Sequence, residues 1–276
     1  YSFISPKQYE KLMMPKDHIL RNSLKISNPL GEDTSIMRTT ALPSMLDILS
    51  KNYNNRNKQA YLFEIAKEYI PTEENQLPNE ISKLICGMYG ESIDYFTVKG
   101  IAEELFRTIG IKDFDIERAN DAYAYHPGRS AVISVDGNVI GTIGEIHPLV
   151  CKNFDLCTAY CFDFNLDKLF ELSSSEHKYS PLPKFPAVSR DIAVICDEDL
   201  PVLSLEKAIS KAAGKLLEEV KLFDIYQGKQ IETGKKSVAF NITLRSSDAT
   251  LTDDQIKSVM KKSVAALESL GAELRS

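Results

Sequence analysis

Apolar and polar residues alternate strictly near the C-terminal end of the chain, which predicts a strand with one buried face. Val238, Phe240, Ile242 and Leu244 share one face, and the small polar residues between them share the other. Three shorter apolar runs predict further strands, over residues 191–196, 220–226 and 272–275. Together these runs indicate a small sheet.

Two helical repeats lie between these strands. Apolar residues recur at helical spacing over 205–216, and Ser204 is predicted to cap that helix. A second helix begins at a capping box, in which Thr252 and Gln255 each satisfy the other residue's free amide, and Gly271 ends it. The order β-α-β-β-α-β predicts a ferredoxin-like domain, with two helices on one face of an antiparallel sheet.

The earlier part of the chain also mixes helices and strands, but less regularly. A helical stripe begins at Leu42, with Thr40 as its predicted cap, and another helix ends at Gly110. Asp136-Gly137 lies between two apolar runs and predicts a hairpin. Further strands are predicted over residues 61–66, 81–88, 131–135, 138–143 and 158–164. Hairpins without regular β-α-β alternation favour an antiparallel sheet flanked by helices, so the predicted fold class is α+β.

A segment without core-forming residues separates these two regions. Three serines precede a charged run, and Pro181 and Pro183 then enforce extended backbone. We therefore predict a first domain over residues 1–172, a linker over 173–183 and the ferredoxin-like domain over 184–276. The chain opens with Tyr1 rather than Met and runs straight into patterned sequence, so we expect it to be part of a longer protein.

Composition narrows the class of protein. The net charge of −6 argues against a chain that coats nucleic acid over its whole surface, although it leaves room for a local basic face. No apolar run approaches the roughly 20 residues that cross a bilayer, and the start carries no signal-peptide pattern. A cytoplasmic location is therefore expected.

The five cysteines point to reduced thiols. Their odd number and the lack of C-x-x-C spacing argue against a disulfide framework or a zinc ribbon. Cys151, Cys157 and Cys161 could be combined with His147 into a metal site. Because the gaps between them match no known ligand pattern, no metal is predicted.

Few motifs carry recognisable chemistry. The sequence holds no phosphate-binding glycine motif and no G-x-S-x-G nucleophile motif. His126-Pro127-Gly128-Arg129 is either a charged turn that grips an anion or a partner, or, as we favour, a Pro-Gly turn whose His and Arg cap carbonyls. Arg38, which precedes the first helical stripe, faces either an acidic partner or solvent.

Six basic residues flank the strands and turns of the second domain: Lys184, Arg190, Lys229, Lys235, Lys236 and Arg245. The domain has equal numbers of basic and acidic residues, but a few RNA phosphate contacts need only local charge. Each of the six is therefore either a phosphate contact or a solvated surface residue. The polar face of the alternating strand, from Ser237 to Thr243, offers no aromatic for base stacking, so recognition in the manner of an RRM is not expected.

Several longer strings occur in a fixed order along the chain. They are SNPL and SIMRTTALPSML (27–30 and 35–46), LFEI (62–65), HPGRSA (126–131), GEIHP (144–148), FPAVSRD (185–191) and RSSDATLT (245–252). In content and order these strings resemble the beta subunit of bacterial phenylalanyl-tRNA synthetases. The last two resemble its C-terminal ferredoxin-like anticodon-binding domain.

The resemblance implies a division of labour within a larger enzyme. In this family the alpha subunit holds the active site, and the synthetase-like domain of the beta subunit keeps the class II antiparallel fold without catalysing. Two alpha and two beta subunits attach phenylalanine to tRNA(Phe) with ATP and magnesium, and the ferredoxin-like domain binds the anticodon region. For this chain the resemblance implies no catalytic residue and no cofactor of its own. Arg38, His126 and Arg129 become candidates for the subunit interface.

The positions of the arginines give a second reason, apart from the resemblance, to expect no catalysis by this chain. A class II synthetase holds the ATP α-phosphate with an Arg-x-Glu motif, because a guanidinium pairs bidentately with phosphate oxygens. None of the nine arginines here is followed two places on by Glu, and LFE at 62–64 stands where such a motif is expected. Two alternatives stay open. One is a stand-alone adenylate-forming enzyme that uses Arg38, Arg129 or His126 on the phosphate, and the other is a protein-interaction scaffold without an RNA role.

Overall fold

The structure, a computed structural model, describes residues 1–73, 76–120, 122–174, 182–228 and 230–275. The chain divides into two compact units, Tyr1–Lys178 and Tyr179–Ser276. Residues 175–181, which make up most of the predicted linker, lie outside the described residues. The predicted bounds at 172 and 184 therefore stay predictions.

The first unit is built around a six-stranded antiparallel sheet. The unit contains eight strands, of which the last six form this sheet: β1 (Phe3–Ile4), β2 (Ile36–Met37), β3 (Ala60–Ile70), β4 (Asn79–Tyr89), β5 (Asp115–Arg118), β6 (Tyr125–Val135), β7 (Asn138–Ile146) and β8 (Tyr160–Asn165), among the described residues. Its α-helices are α1 (Lys7–Lys11), α2 (Leu42–Asn54), α3 (Tyr95–Thr108), α4 (Pro148–Asn153) and α5 (Leu166–Leu172). The sheet order is β3-β4-β8-β7-β6-β5, and β1 pairs with β2 separately. This architecture confirms the predicted α+β class.

Helices pack on both faces of the six-stranded sheet. On one face, α2 buries Leu46 and Leu49 in a cluster that includes Ile85 of β4. On the other face, Phe106 of α3 and Leu169 of α5 join a cluster with the aromatic residues of β8. The two clusters hold the sheet from both sides, because apolar residues alternate between its faces.

Two glycine-dependent features fix the geometry of β6 and β7. Asp136 and Gly137 have positive φ values of 49° and 76°, as expected for the predicted hairpin turn. Gly144 has φ 158°, and a Cβ on it would lie 2.6 Å from the carbonyl oxygen of Arg129. β6 and β7 approach each other closely there, beside a register shift between Tyr125 and Ser130.

The N-terminus of α2 differs from the prediction. The N-cap residue is Ala41, not Thr40, and its own side chain makes no capping bond. The Ala41 N–H instead donates to Glu68 Oε1 on β3 at 2.8 Å. The Thr40 hydroxyl accepts a longer bond, 3.4 Å, from Leu42 N, so the predicted residue supplies part of the cap. The bond to Glu68 comes from a residue distant in the sequence, which no local capping pattern could have predicted.

The second unit has the predicted ferredoxin-like topology. Its elements are β9 (Val188–Asp197), α6 (Val202–Ala213), β10 (Leu217–Tyr226), β11 (Lys235–Leu244), α7 (Asp253–Glu268) and β12 (Glu273–Leu274). The strands form an antiparallel sheet in the order β10-β11-β9-β12. The apolar face of β11 is fully buried against α6 and α7, which leaves the opposite face of the sheet open within this unit.

The caps of the second unit agree with the prediction in one helix only. Thr252 and Gln255 form the predicted capping box at the start of α7. α6 begins at Val202 with Pro201 as its N-cap residue, so Ser204 is an interior residue of the helix and not its cap. A helical period locates a helix, but it does not fix which of several nearby residues begins it.

All five cysteines are free, and four of them are buried. Burial raises the pKa of Cys86 and of Cys151 to about 11, so both thiols are protonated at neutral pH.

The ring of His147 accepts a hydrogen bond from Leu149 N at the start of α4. Among the described helices, none is long and apolar enough to span a bilayer.

Candidate functional site

Three apolar side chains stand exposed along β3, at the edge of the large sheet. Tyr61, Phe63 and Ile65 are 50%, 73% and 67% exposed. They alternate with inward-facing residues, so they share one face of the strand at intervals of about 7 Å. On that face α5 packs over β4 and β8 and stops one strand short of β3. We call Tyr61, Phe63 and Ile65 the β3 strip.

Sequence reasoning did not single out the β3 strip. β3 carries apolar residues at Tyr61, Phe63 and Ile65 and also at Leu62 on the other face. Two apolar faces are usual for a central strand that is covered on both sides. β3 pairs only with β4 among the described residues, so one of these faces lacks a cover within the unit.

Arg38 is buried on the face of β3 opposite the β3 strip. Its Nη2 donates to Glu64 Oε1 at 2.7 Å, and its Nε donates to the carbonyl oxygen of Lys67 at 2.9 Å. Only 3% of the Arg38 side chain is exposed. The guanidinium therefore binds within the unit, where the sequence had suggested a partner or solvent. Glu64, of the string LFE, is the residue that holds it.

A second group of charges is buried on the same face of the sheet. Lys83 of β4 forms a 2.8 Å ion pair with Asp163 of β8, and Glu68 is 6% exposed. Burial raises the pKa of Glu68 to about 7, and the negative charge of Asp163 adds to the effect. Lys83, Arg38 and the Ala41 N–H act in the opposite direction.

The tetrapeptide at 126–129 forms part of the irregular start of β6. His126 Nδ1 accepts a hydrogen bond from Gly128 N at 3.0 Å. Arg129 points elsewhere and donates from Nη1 to Glu145 Oε2 at 2.9 Å. The favoured interpretation as a Pro-Gly turn is wrong, because the four residues lie within β6 at a register shift between Tyr125 and Ser130. The two side chains bind an N–H and a carboxylate rather than carbonyls.

The three predicted interface residues are not brought together. Arg38 binds Glu64 on β3, whereas His126 and Arg129 lie on β6. β3 and β6 are separated by four strand spacings in the sheet order, or about 19 Å. The structure thus places these residues at two separate regions of the first unit.

The open face of the second unit carries a polar ladder. Ser189 Oγ donates to Asn241 Oδ1 at 2.8 Å, and Asn241 Nδ2 donates to Asp191 Oδ1 at 2.6 Å. Lys221 of β10 stands opposite Asn241, and paired residues of neighbouring strands point to the same face. This end of the open face therefore presents hydrogen-bonding groups of both kinds beside one lysine.

The other end of the open face contains an aromatic residue that the sequence analysis missed. Tyr226 of β10 is paired with Ser237, and Arg275 Nη1 donates to Ser237 Oγ at 3.1 Å. Lys235 lies on the same face, two residues before Ser237. Phe223, 55% exposed, lies nearby at a register shift of β10. Aromatic and basic side chains thus occur together on this face.

Five of the six predicted RNA contacts lie among the described residues, and these five fall at opposite ends of the sheet. Lys184, Arg190 and Arg245 lie at the end where β9 begins, whereas Lys235 and Lys236 lie at the other end, about 30 Å away along β11. Lys229 lies outside the described residues. By register, Arg190 and Lys236 share the helix-covered side of the sheet, and Lys235 is on the open side.

Four of these residues already have partners within the unit. Lys235 Nζ lies 3.7 Å from Glu232 Oε2, and Arg190 Nη1 donates to the carbonyl oxygen of Ser189 at 2.9 Å. Lys236 Nζ donates to the carbonyl oxygens of Glu198 and Leu200, both at 2.7 Å. Arg245 pairs through Nε and Nη2 with both carboxylate oxygens of Glu218, which raises the pKa of the guanidinium. Lys236 and Arg245 thus bind within the unit at the two ends of β11, whereas the sequence analysis had left each as a phosphate contact or a solvated surface residue.

The described side chains offer few groups that could bind a metal ion or ATP. They contain no group of three or more His, Cys, Asp or Glu side chains that could hold a metal ion. Arg38 and Arg129, the arginines considered for a phosphate, bind Glu64 and Glu145 instead. The residues present do not fit an ATP and magnesium site of the class II kind.

Two protein families match the chain. Residues 1–166 match the family described as phenylalanyl tRNA synthetase beta chain CLM domain, and residues 183–275 match the ferredoxin-fold anticodon binding domain. Phenylalanine–tRNA ligase beta subunits from Clostridium acetobutylicum and Clostridium tetani are 46% and 48% identical over the whole chain. The subunit from Symbiobacterium thermophilum is 38% identical. The chain spans about a third of the length of these relatives, 35%, 35% and 32%.

One solved structure extends the comparison to the fold. The crystal structure of pyrrolysyl-tRNA synthetase from Desulfitobacterium hafniense superposes with a TM-score of 0.50 over 62% of this chain and 61% of that one. The identity is 14%, so the likeness concerns the fold alone. It agrees with the class II synthetase-like sheet that the sequence strings imply.

Proposed function

The chain belongs to the phenylalanyl-tRNA synthetase beta chain family, and we propose that it forms the C-terminal part of the beta subunit of phenylalanine–tRNA ligase. The parent enzyme would attach phenylalanine to tRNA(Phe) with ATP and magnesium, in the cytoplasm. The observation that carries the proposal is the pair of family matches, which follow each other at 1–166 and 183–275 on one chain. The chain's own tasks are to support the catalytic alpha subunit and to dock tRNA.

Catalysis is assigned to the partner subunit. An ATP-binding site needs accessible cations that can reach phosphate oxygens. Arg38 is buried against Glu64, and Arg129 donates from Nη1 to Glu145, so each guanidinium is already paired with a carboxylate of this chain. This arrangement favours a non-catalytic role beside the alpha subunit over the alternative of a stand-alone adenylate-forming enzyme.

The β3 strip is proposed as the surface that contacts the alpha subunit. Large apolar side chains on a sheet edge favour aggregation unless a partner covers them. A permanent partner removes Tyr61, Phe63 and Ile65 from water, which contributes roughly 25 cal/mol per Å² of apolar surface. His126 and Arg129 would contribute from a second contact region. Two alpha and two beta subunits would complete the assembly.

The open face of the second unit is proposed to bind the anticodon region of tRNA. Bases stack on aromatic side chains, and phosphates pair with Lys and Arg. Tyr226 supplies the aromatic ring, and Lys221, Lys235 and Arg275 supply cations on the same face. Lys184, Arg190 and Arg245 lie at the far end of the sheet, where flanking phosphates would lie. Lys229 is proposed as a further phosphate contact on the ground of its sequence alone.

A mixing experiment tests this division of labour. The chain is combined with purified alpha subunit, the complex is weighed by native mass spectrometry, and phenylalanine-dependent ATP–pyrophosphate exchange is measured. We expect a complex of the two proteins and no exchange by the chain alone. Exchange by the chain alone would establish the adenylate-forming alternative. Binding to the alpha subunit without any binding to tRNA would leave only the scaffold alternative.

A further inference from the structure

A cleft of about 540 Å³ opens in the first unit beside the start of α3. Its lining includes Asp94, Phe96, Arg118, Arg129, Glu145 and Tyr160, from one helix start and four strands. Small-molecule pockets in proteins generally measure roughly 300–1,000 Å³. The cleft is therefore large enough for a compact organic molecule, and of the lining residues named here the proposed function uses only Arg129.

A carboxylate with fixed partners lies in this cleft. Glu145 is 4% exposed, and it accepts hydrogen bonds from Arg129 Nη1 at 2.9 Å and from the Tyr160 hydroxyl at 3.3 Å. Burying a carboxylate is costly unless it is paired, and Arg129 supplies that pairing. Glu145 and Arg129 together are neutral, so they add polarity to the cleft without adding net charge.

Arg118 is the uncompensated cation of the cleft. It ends β5, its side chain is exposed, and among the described residues its guanidinium has no hydrogen bond and no ion pair. Its five N–H donors are therefore available to an incoming anion. A guanidinium with free donors binds a carboxylate with two parallel hydrogen bonds.

An aromatic wall stands on another side of the cleft. The Phe96 ring is 74% exposed, and it packs edge-on against Tyr95 at a centroid distance of 5.7 Å. Both residues line the cleft in the first turn of α3. Asp94 caps that helix by accepting from Thr97 N at 2.8 Å, so a negative charge stands beside the wall.

We propose that the cleft binds a small organic monocarboxylate that carries an aromatic or branched apolar group. The carboxylate would pair with Arg118, and the apolar group would cover Phe96. Asp94 and Glu145 lie in the same cleft, so a doubly charged phosphate would meet two like charges where a carboxylate brings only one of its own. An amine without a carboxylate would leave Arg118 unpaired.

Three probes with the same ring separate these ligand classes. Binding of 3-phenylpropionate, 2-phenylethylamine and phenyl phosphate to the whole chain is measured by saturation-transfer NMR with competition. We expect 3-phenylpropionate to bind best. Arg118→Gln should weaken it about tenfold or more, because a charge-assisted pair is lost. Phe96→Ala should weaken it about threefold, through lost apolar contact.

Arg107→Gln is the matched control, since Arg107 is an exposed arginine of α3 that binds Glu104 outside the cleft. It should leave binding unchanged. The proposal fails if 3-phenylpropionate does not bind, if the amine binds equally well or if phenyl phosphate binds more tightly. Equal losses in Arg118→Gln and Arg107→Gln would also contradict it, because a site in the cleft cannot depend on both. Circular dichroism of each variant checks that the fold is retained.

Discussion

Glu68 on β3 accepts a hydrogen bond at 2.8 Å from the backbone N–H of Ala41, the N-cap residue of α2. The pKa of this carboxyl is about 7, chiefly because of burial, against 4.5 in an unstructured chain. The folded state therefore binds the proton more tightly than the unfolded state does. The resulting stability is fully present below about pH 4.5 and is lost as pH rises through 7.

We expect the first unit to be less stable at pH 8 than at pH 5, and Glu68→Gln to remove this dependence. Gln keeps an acceptor for the Ala41 N–H but cannot ionise. The difference between the two pH values should be on the order of 2 kcal/mol in the wild type. Urea unfolding followed by circular dichroism measures it. Glu80→Gln, at an exposed position of β4, is the control, and an unchanged pH dependence in Glu68→Gln would refute the assignment.

Arg38→Met should destabilise the first unit in the absence of any partner. The change leaves Glu64 and the Lys67 carbonyl without their buried donor, at a cost of about 1–3 kcal/mol. Arg107→Met, which removes an exposed ion pair with Glu104, should cost much less, because solvent screens the attraction between exposed charges. Thermal unfolding of both variants makes the comparison. Equal losses of stability would mean that the buried hydrogen bonds of Arg38 do not stabilise the first unit.

Phe63→Ser should weaken the complex with the alpha subunit without unfolding the chain. The side chain is exposed, so its loss removes little from the core, but a partner that covers it loses roughly 1.5–3 kcal/mol of burial. The complex should therefore weaken about tenfold or more in a pull-down titration. Val139→Ser, at an exposed position of β7, should have no effect. Equal behaviour of the two variants would place the partner elsewhere.

Tyr226→Ala should reduce tRNA affinity about tenfold. Stacking of a base on an aromatic side chain contributes roughly 1–3 kcal/mol and depends little on the sequence. Filter binding with tRNA(Phe) measures the change. Leu270→Ala, just beyond α7 and so on the helix side of the sheet, is the control. Wild-type affinity in Tyr226→Ala would remove the open face from the RNA-binding surface.

Lys235 and Lys236 form a natural pair of variants, because neighbouring residues of a strand point to opposite faces. Lys235→Gln should reduce the slope of log affinity against log salt by about one, as expected for one lost phosphate contact. Lys236→Gln should leave the slope unchanged, since its ammonium binds the carbonyls of Glu198 and Leu200. The reverse result would assign the RNA to the helix-covered side of the sheet instead of the open face.

The sequence predicted those parts of the fold that depend on neighbours within a few residues. Thr252 and Gln255 form their box because the two residues are three apart, and Asp136-Gly137 turns because the pair tolerates positive φ. The shorter bond that caps α2, from Ala41 N–H, could not be predicted in the same way. Its acceptor, Glu68, is 27 residues away from Ala41.

The aromatic ring on the open face was missed for a related reason. A register shift between Leu222 and Asp224 changes which residues of β10 face away from the helices. Such a bulge reverses the alternation beyond it, so the sequence pattern alone assigns Tyr226 no reliable face. The aromatic that the alternating strand lacks is supplied by its neighbour.

The sequence by itself determined the α+β class, the ferredoxin-like order of elements and the family strings, because period, turn chemistry and short motifs are local properties. Only the tertiary structure decided that Arg38 is buried, that the β3 strip is bare and that the Lys236 ammonium binds the carbonyls of Glu198 and Leu200. These outcomes depend on which distant segment covers each side chain. Burial is set by the order of strands in a sheet, which no residue's immediate neighbours specify.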